Sequence, residues 1–146
     1  KGTVDIFIEP SLPLPELVVM GASPVAKALC SLAAQFQFTI RAVEADVDLL
    51  PTSRQRYVVI ATQGQGDMVA LNAALSSGPS SISFVGSSRK FAALSQKLMD
   101  AGSDPAAVRS IKAPAGLNIN AVTPDEIALS ILAELVKQRR AARAEV

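Results

Sequence analysis

The stretch LVVMGASPVAKAL, Leu17 to Leu29, decides how this chain reads. Leu17 to Met20 is a short, wholly apolar run ended by Gly21, the pattern of a parallel strand buried on both faces. Pro24 then suits a first helical turn, where its missing N–H would have no partner in any case. Val25, Leu29, Leu32 and Phe36 follow at helical spacing and mark one buried stripe. A strand that passes through a Gly-led turn into a helix opens a βα unit, and its turn is a candidate phosphate cradle.

The alternation repeats downstream. FTIRAV (residues 38–43), YVVIAT (57–62) and SISFV (81–85) read as the second, third and fourth strands. After the third strand, QGQGDMVALNAAL supplies two glycines, then Asp67 as the expected cap of a helix with Val69, Ala73 and Leu75 at its apolar positions. Phe91, Leu94 and Leu98 give another helical stripe, stopped at Gly102. SDPAAVR reads as a short turn, and KAPAGLNINAV as an ordered loop fixed by Asn118 and Asn120 through side-chain to backbone bonds. Thr123-Pro124-Asp125-Glu126 is a capping box with Pro at the first helical position, and Ile127, Ile131 and Leu135 face inward behind it. Strands alternating with helices imply right-handed βαβ units, so the predicted class is α/β, a Rossmann-like three-layer sandwich with a mostly parallel sheet.

Two parts are expected. Residues 1–16 read as an N-terminal strand (alternating Val4, Ile6 and Ile8) followed by the Pro-rich connector PSLPLPE, and residues 17–146 as the Rossmann-like domain. An opening of KGTVDIFIEP, without Met, looks like the middle of a longer protein.

Composition narrows the chemistry. With 49% apolar and 18% charged residues in 146, the chain can bury a real core, and no apolar run reaches the ~20 residues of a membrane span. Lys plus Arg is 14 and Asp plus Glu is 13, a balance that points to neither nucleic acid nor a membrane surface. The cluster KQRRAAR reads as the solvated, basic end of a helix. With no His in the chain, a Ser-His-Asp triad, an HExxH zinc site and a His proton shuttle are all excluded. A single Cys30 excludes an intrachain disulfide; with no signal-peptide pattern, it points to a cytoplasmic protein. Cys30 sits in a helical pattern among Ala28, Leu29 and Leu32, as an inert thiol.

In open sheets of this kind ligands lie outside the carboxyl ends of the strands, where the strand order reverses. With the first and fourth strands as neighbours, Gly21-Ala22-Ser23 and Gly86-Ser87-Ser88-Arg89-Lys90 would face one crevice, each at a helix N-terminus. Backbone N–H groups, helix dipoles and the two basic side chains would then favour an anionic, phosphorylated ligand. Against the dinucleotide fingerprint G-x-G-x-x-G/A, GASPVA matches at Gly21 and Ala26 but has Ser23 at the second glycine, where a Cβ and hydroxyl would either hold phosphates off or trade one backbone contact for a serine contact. Glu44, 23 residues after Gly21, stands near the usual distance for a ribose-binding carboxylate. NAD(P), another phosphate-bearing ligand and a bare structural turn all stay open on these residues. No proton-transfer constellation is legible, which argues against turnover.

Taken together, FIEP, LVVMGAS, YVVIATQGQGD, FVGSSRK and PAGLNINAVTPDEIALSILAELV resemble the C-terminal Rossmann domain of the XdhC/CoxI family, the xanthine dehydrogenase accessory proteins. The likeness runs from FIEP to KQRR. GSSRK is similar to the family's GSRRK, and PAGLNINAVTPDEIALSILAELV to its P-x-GLDIGA-x-TPEEIA-x-SILAE. The resemblance implies a protein that binds molybdenum cofactor, as molybdopterin or its dinucleotide form, and delivers it to a molybdenum hydroxylase such as xanthine dehydrogenase or carbon monoxide dehydrogenase. It also makes a homodimer an expectation.

Three loops depart from the family pattern. GAGHVA is here Gly21-Ala22-Ser23-Pro24-Val25-Ala26; G-H-x-x-D is Gly64-Gln65-Gly66-Asp67 with the aspartate kept; GLDIGA is Gly116-Leu117-Asn118-Ile119-Asn120-Ala121. These changes suggest a diverged paralogue. The candidate cofactor-binding residues are Gly21, Ala22, Ser23, Glu44, Gly64, Asp67, Gly86, Ser87, Ser88 and Arg89, with the pterin held by hydrogen bonds and charge and not by a protein–metal bond.

Overall fold

The computed structural model describes residues 2–4 and 13–144. Four strands, β1 (Glu16–Met20), β2 (Thr39–Val43), β3 (Arg56–Ile60) and β4 (Ser81–Phe84), alternate with helices α1 (Pro24–Ala33), α2 (Asp67–Ser76), α3 (Ser88–Asp100), α4 (Pro105–Arg109) and α5 (Pro124–Ala144). The strand expected over Val4, Ile6 and Ile8 lies, apart from Val4, outside the described residues. The stretch read as a short turn, SDPAAVR, contains α4, whose start is capped by Asp104 accepting from Ala106 N–H at 3.3 Å.

All pairings are parallel, in the order β2-β1-β3-β4. Lys112 adds an isolated parallel bridge to Ser83 beyond β4. This corrects one expectation: the first and fourth strands are not neighbours, because β3 lies between them. Alternating strands and helices specify the layers but not the side on which each crossover returns. Here β1 to β2 extends the sheet one way, and the chain then crosses back to place β3 on the other flank of β1.

Alternation along the two central strands divides the core. Leu17, Val19, Tyr57 and Val59 face α1 and α5, whereas Val18, Met20, Val58 and Ile60 join Ile82 and Phe84 against α2, α3 and α4. Leu17 to Met20 have no exposed surface, and each such side chain stabilises the fold by roughly 1.5–3 kcal/mol relative to exposure. The α/β three-layer sandwich follows from these two apolar faces.

The helical stripes differ in detail from the sequence reading. Phe36 lies beyond the end of α1 and is 42% exposed, while Ala26, Leu29 and Ala33 carry the buried face. On α2, Val69 points outward and Ala70, Leu71 and Ala74 pack inward, since the alanines let the helix approach the sheet closely. The basic tail is not wholly solvated: Arg139 is buried, its guanidinium 4.5 Å from the Phe38 ring centre, and it donates to the carbonyls of Phe36 and Gln37 at 3.3 and 3.2 Å. The capping box of α5 forms as read. Thr123 Oγ1 accepts from Glu126 N–H at 3.2 Å, and Glu126 Oε1 accepts from Thr123 and Val122 N–H at 3.0 and 2.9 Å. No helix is long and apolar enough to cross a membrane among the described residues.

Candidate functional site

The reversal of strand order falls between β1 and β3, and the loops leaving β1, β2 and β3 line one cavity there of about 500 Å³. Gly21, Ala22, Ser23 and Glu44 all border it, beside Thr62, Gln63 and Gln65. Gly64 belongs to the same turn without lining the cavity. Gly21 is dictated by its surroundings. Its φ is +111°, and a Cβ would stand 2.8 Å from the carbonyl carbon of Ala61 and 2.9 Å from Thr62 Cα. The turn that leaves β1 thus packs directly against the chain leaving β3.

Ser23 caps α1: its Oγ accepts from Ala26 N–H at 3.1 Å. The hydroxyl proton is still available to a ligand, so a capping role and an anion contact are compatible. Cys30, on the same helix, is half-buried at the margin of the core, and burial pushes its thiol above the usual range, as suits an unreactive side chain.

The corner after β4 opens on a second cavity. Gly86 and Ser87 border a space of about 680 Å³ whose opposite wall is the loop Pro114–Ala121 together with Ile127 and Ser130 of α5. Ser87 Oγ caps α3 by accepting from Lys90 N–H at 3.0 Å, and Ser88 and Arg89 are exposed in its first turn. The two basic residues of this corner differ in kind. Lys90 Nζ lies 3.3 Å from Asp67 Oδ2, and Thr62 Oγ1 donates to Asp67 Oδ1. Asp67 is only 8% exposed, and the residue in the N-cap position of α2 is Gly66. The aspartate expected to cap α2 is therefore a clip between the β3 corner and α3, and it cancels the charge of Lys90. Arg89 pairs with no carboxylate among the described residues and remains the cation of the corner.

Between the two cavities lies a smaller space of about 210 Å³, the neck. It shares Ser23, Pro24 and Gln63 with the first and Val85 with the second, and Val25, Ala61 and Pro124 complete it. The two serine corners are thus not side by side; they open on separate cavities along the carboxyl ends of β1, β3 and β4, and the small space that shares walls with both is largely apolar.

Two functional-looking residues escaped the sequence reading. Lys112 Nζ pairs with Glu134 Oε2 at 2.9 Å and donates to the carbonyls of Pro114 and Gly116, each at 3.1 Å. Glu134 Oε1 accepts from Gly116 N–H at 3.1 Å. Gly116 has φ +97°, and a Cβ there would stand 3.0 Å from the carbonyl carbon of Ser130 and 3.1 Å from Ile131 N. Together these contacts pin the loop on α5. The available signal was Glu134 itself, an acid between the inward-facing Ile131 and Leu135, since a carboxylate on a buried stripe requires a partner. Asn118 Oδ1 accepts from Asn120 N–H at 3.3 Å, which is the loop-fixing bond expected for this pair.

The donor set is poor for a metal: among the described residues no three His, Cys, Asp or Glu side chains lie together so as to hold one.

Residues 17–135 match the model of the family described as the XdhC Rossmann domain. The uncharacterized protein YqeB of Escherichia coli (strain K12) is 28% identical over 160 aligned residues, which cover 93% of this chain and 29% of YqeB. A crystal structure described as a xanthine dehydrogenase from Bacillus halodurans superposes with a TM-score of 0.75 at 24% identity, over 91% of this chain and 46% of that one. At that identity the likeness is one of fold. The chain spans less than half the length of either relative.

Proposed function

The chain belongs to the XdhC family through its Rossmann domain, and from that premise we propose that it holds molybdenum cofactor as a cytoplasmic accessory protein for a molybdenum hydroxylase such as xanthine dehydrogenase or carbon monoxide dehydrogenase. The observation that carries the reading is the row of cavities at the carboxyl ends of the strands, onto which the N-termini of α1 and α3 open, with Arg89 unpaired by acid among the described residues. First-turn N–H groups of a helix lack acceptors of their own and attract anions. A phosphate of molybdopterin, or the pyrophosphate of its dinucleotide form, would be met by the Ser87 hydroxyl, by the backbone at Ser88 and by the Arg89 guanidinium, while the Ser23 hydroxyl would meet another polar part of the ligand at the α1 corner.

The fit has a physical logic. Ser23 and Ser87 are already oriented by their capping bonds, so they bind without losing further side-chain freedom. The Asp67–Lys90 clip ties the first turn of α3, behind Ser87, to the corner after β3. The chain's own task on this reading is to bind, orient and shield, and no residue needs to move a proton.

NAD(P) is a second reading because Glu44 lines the same cavity as Gly21 and Ser23, where a carboxylate would hold a ribose hydroxyl. Thermal-shift titration separates the two. A ligand at 100 times its Kd stabilises by about 2.7 kcal/mol, a rise of roughly 5–10 °C for a domain of this size. Molybdopterin is expected to give that rise and Arg89→Ala to diminish it. A rise with NAD(P) alone would favour the second reading, and none with either would leave an interaction module.

A further inference from the structure

We propose that the larger cavity, walled by the loop Pro114–Ala121, seats the planar ring end of a phosphate-bearing ligand, with the phosphate directed toward the Ser87–Arg89 corner. The inference rests on the reading above only in identifying that ring as a pterin.

Size is the first argument. At about 680 Å³ this cavity lies within the ~300–1,000 Å³ range of small-molecule sites, whereas the neck, at about 210 Å³, is below it. The character of the walls is the second. Val85 comes from the corner just after β4 and Ile127 from α5, and Leu117 and Ile119 from the loop. Leu117 and Ile119 are 37% and 47% exposed, so the loop turns apolar side chains onto the cavity and not into the core. A flat ring between these walls would remove that surface from water.

Charge is the third. Lys112 is the ionised side chain bordering the cavity, and its half-exposed ammonium is already paired with Glu134 and bonded to two carbonyls. The cavity is therefore close to electrically neutral, which suits an uncharged ring and disfavours a phosphate. The charge suited to a phosphate lies at the corner, on Arg89 and the α3 N-terminus. The Glu44 cavity has the opposite bias, since its carboxylate opposes an anion and accepts hydroxyls.

Edge chemistry is the fourth. A pterin presents neighbouring donors and acceptors along one edge, and a carboxamide offers both. Asn118 Oδ1 is held by Asn120 N–H, which fixes the amide and directs its NH₂ group as a donor. Finally, the loop is already set: the Lys112–Glu134 pair and the close approach of Gly116 to Ser130 fix it before any ligand arrives.

The test uses three probes, pterin, inorganic pyrophosphate and molybdopterin, titrated into the wild-type chain, Ala121→Phe, Ile119→Ser and Arg89→Ala. Ala121→Phe fills the cavity, and Ile119→Ser removes one wall at an exposed position that leaves the fold intact, as an unchanged melting temperature verifies. Both are expected to weaken pterin and molybdopterin tenfold or more and to leave pyrophosphate within twofold; Arg89→Ala should do the reverse to pyrophosphate and leave pterin unchanged. Pterin that fails to bind the wild type, or binds both cavity variants equally well, overturns the assignment. Pterin that binds and is lost in both variants while molybdopterin fails to bind supports the ring site and refutes the cofactor reading.

Discussion

Gly21→Ala is the most informative single change, because two separable physical terms meet at that residue. Its φ of +111° disfavours any L side chain, a strain of roughly 1–3 kcal/mol. In addition the new methyl would sit 2.8 and 2.9 Å from backbone atoms of Ala61 and Thr62, which follow directly on the central strand β3 and cannot move like a flexible side chain. Overpacking of that kind costs roughly 1–3 kcal/mol more. The sum, about 2–6 kcal/mol, corresponds to a fall in melting temperature of roughly 5–20 °C for a chain of this length. Gly102→Ala isolates the first term: φ there is +99°, but nothing lies within 4 Å of the added Cβ. Urea unfolding followed by far-UV circular dichroism, with both variants in parallel, should show Gly21→Ala the more destabilised by at least about 1 kcal/mol. Equal losses would mean that β1 and β3 do not meet closely at this corner, and the placement of the first cavity would fall with it.

Asp67→Ala removes the acceptor of the Thr62 hydroxyl and the partner of Lys90; it should destabilise by roughly 1–3 kcal/mol in chemical denaturation while tightening pyrophosphate binding measured by calorimetry, because Lys90 is no longer neutralised. Glu126 accepts N–H bonds from Thr123 and Val122 that hold its carboxyl below the ordinary 4.5. Its contribution to stability is therefore present above the unfolded value and lost as pH falls through the folded one, and Glu126→Gln should flatten that part of a melting-temperature profile recorded from neutral to acid pH. Arg139→Ala should destabilise by about 1–2 kcal/mol through lost stacking on Phe38 and lost bonds to two carbonyls, whereas the exposed neighbour Arg140→Ala should stay within about 0.5 kcal/mol; matching effects in the two variants would contradict the burial of Arg139.

Much of the fold is legible because each core strand is a short apolar run closed by a turn signal. Leu17–Met20 and the capping box at Thr123 read directly, since both depend on neighbours in sequence. Strand order does not read, because it depends on which flank each crossover returns to, and the neighbour relation expected of the first and fourth strands failed for that reason. The site shows the same division. Local geometry at Gly21, Ser23 and Ser87 follows from turns and caps. The pairing of Asp67 with Lys90, and of Glu134 with Lys112, joins residues 23 and 22 positions apart through tertiary packing. On α2 the small side chains left the helical phase ambiguous, so Val69 was expected inside and lies outside.

The sheet is a partition. Because Leu17, Val19, Tyr57 and Val59 look one way and Val18, Met20, Val58 and Ile60 the other, the flank of α1 and α5 and the flank of α2, α3 and α4 are sealed from each other except through strand backbones. Substitutions on opposite flanks should combine almost independently, while those within a flank interfere. A lineage can therefore remodel the wall beside α5 to suit a new guest without unsettling the other half of the interior.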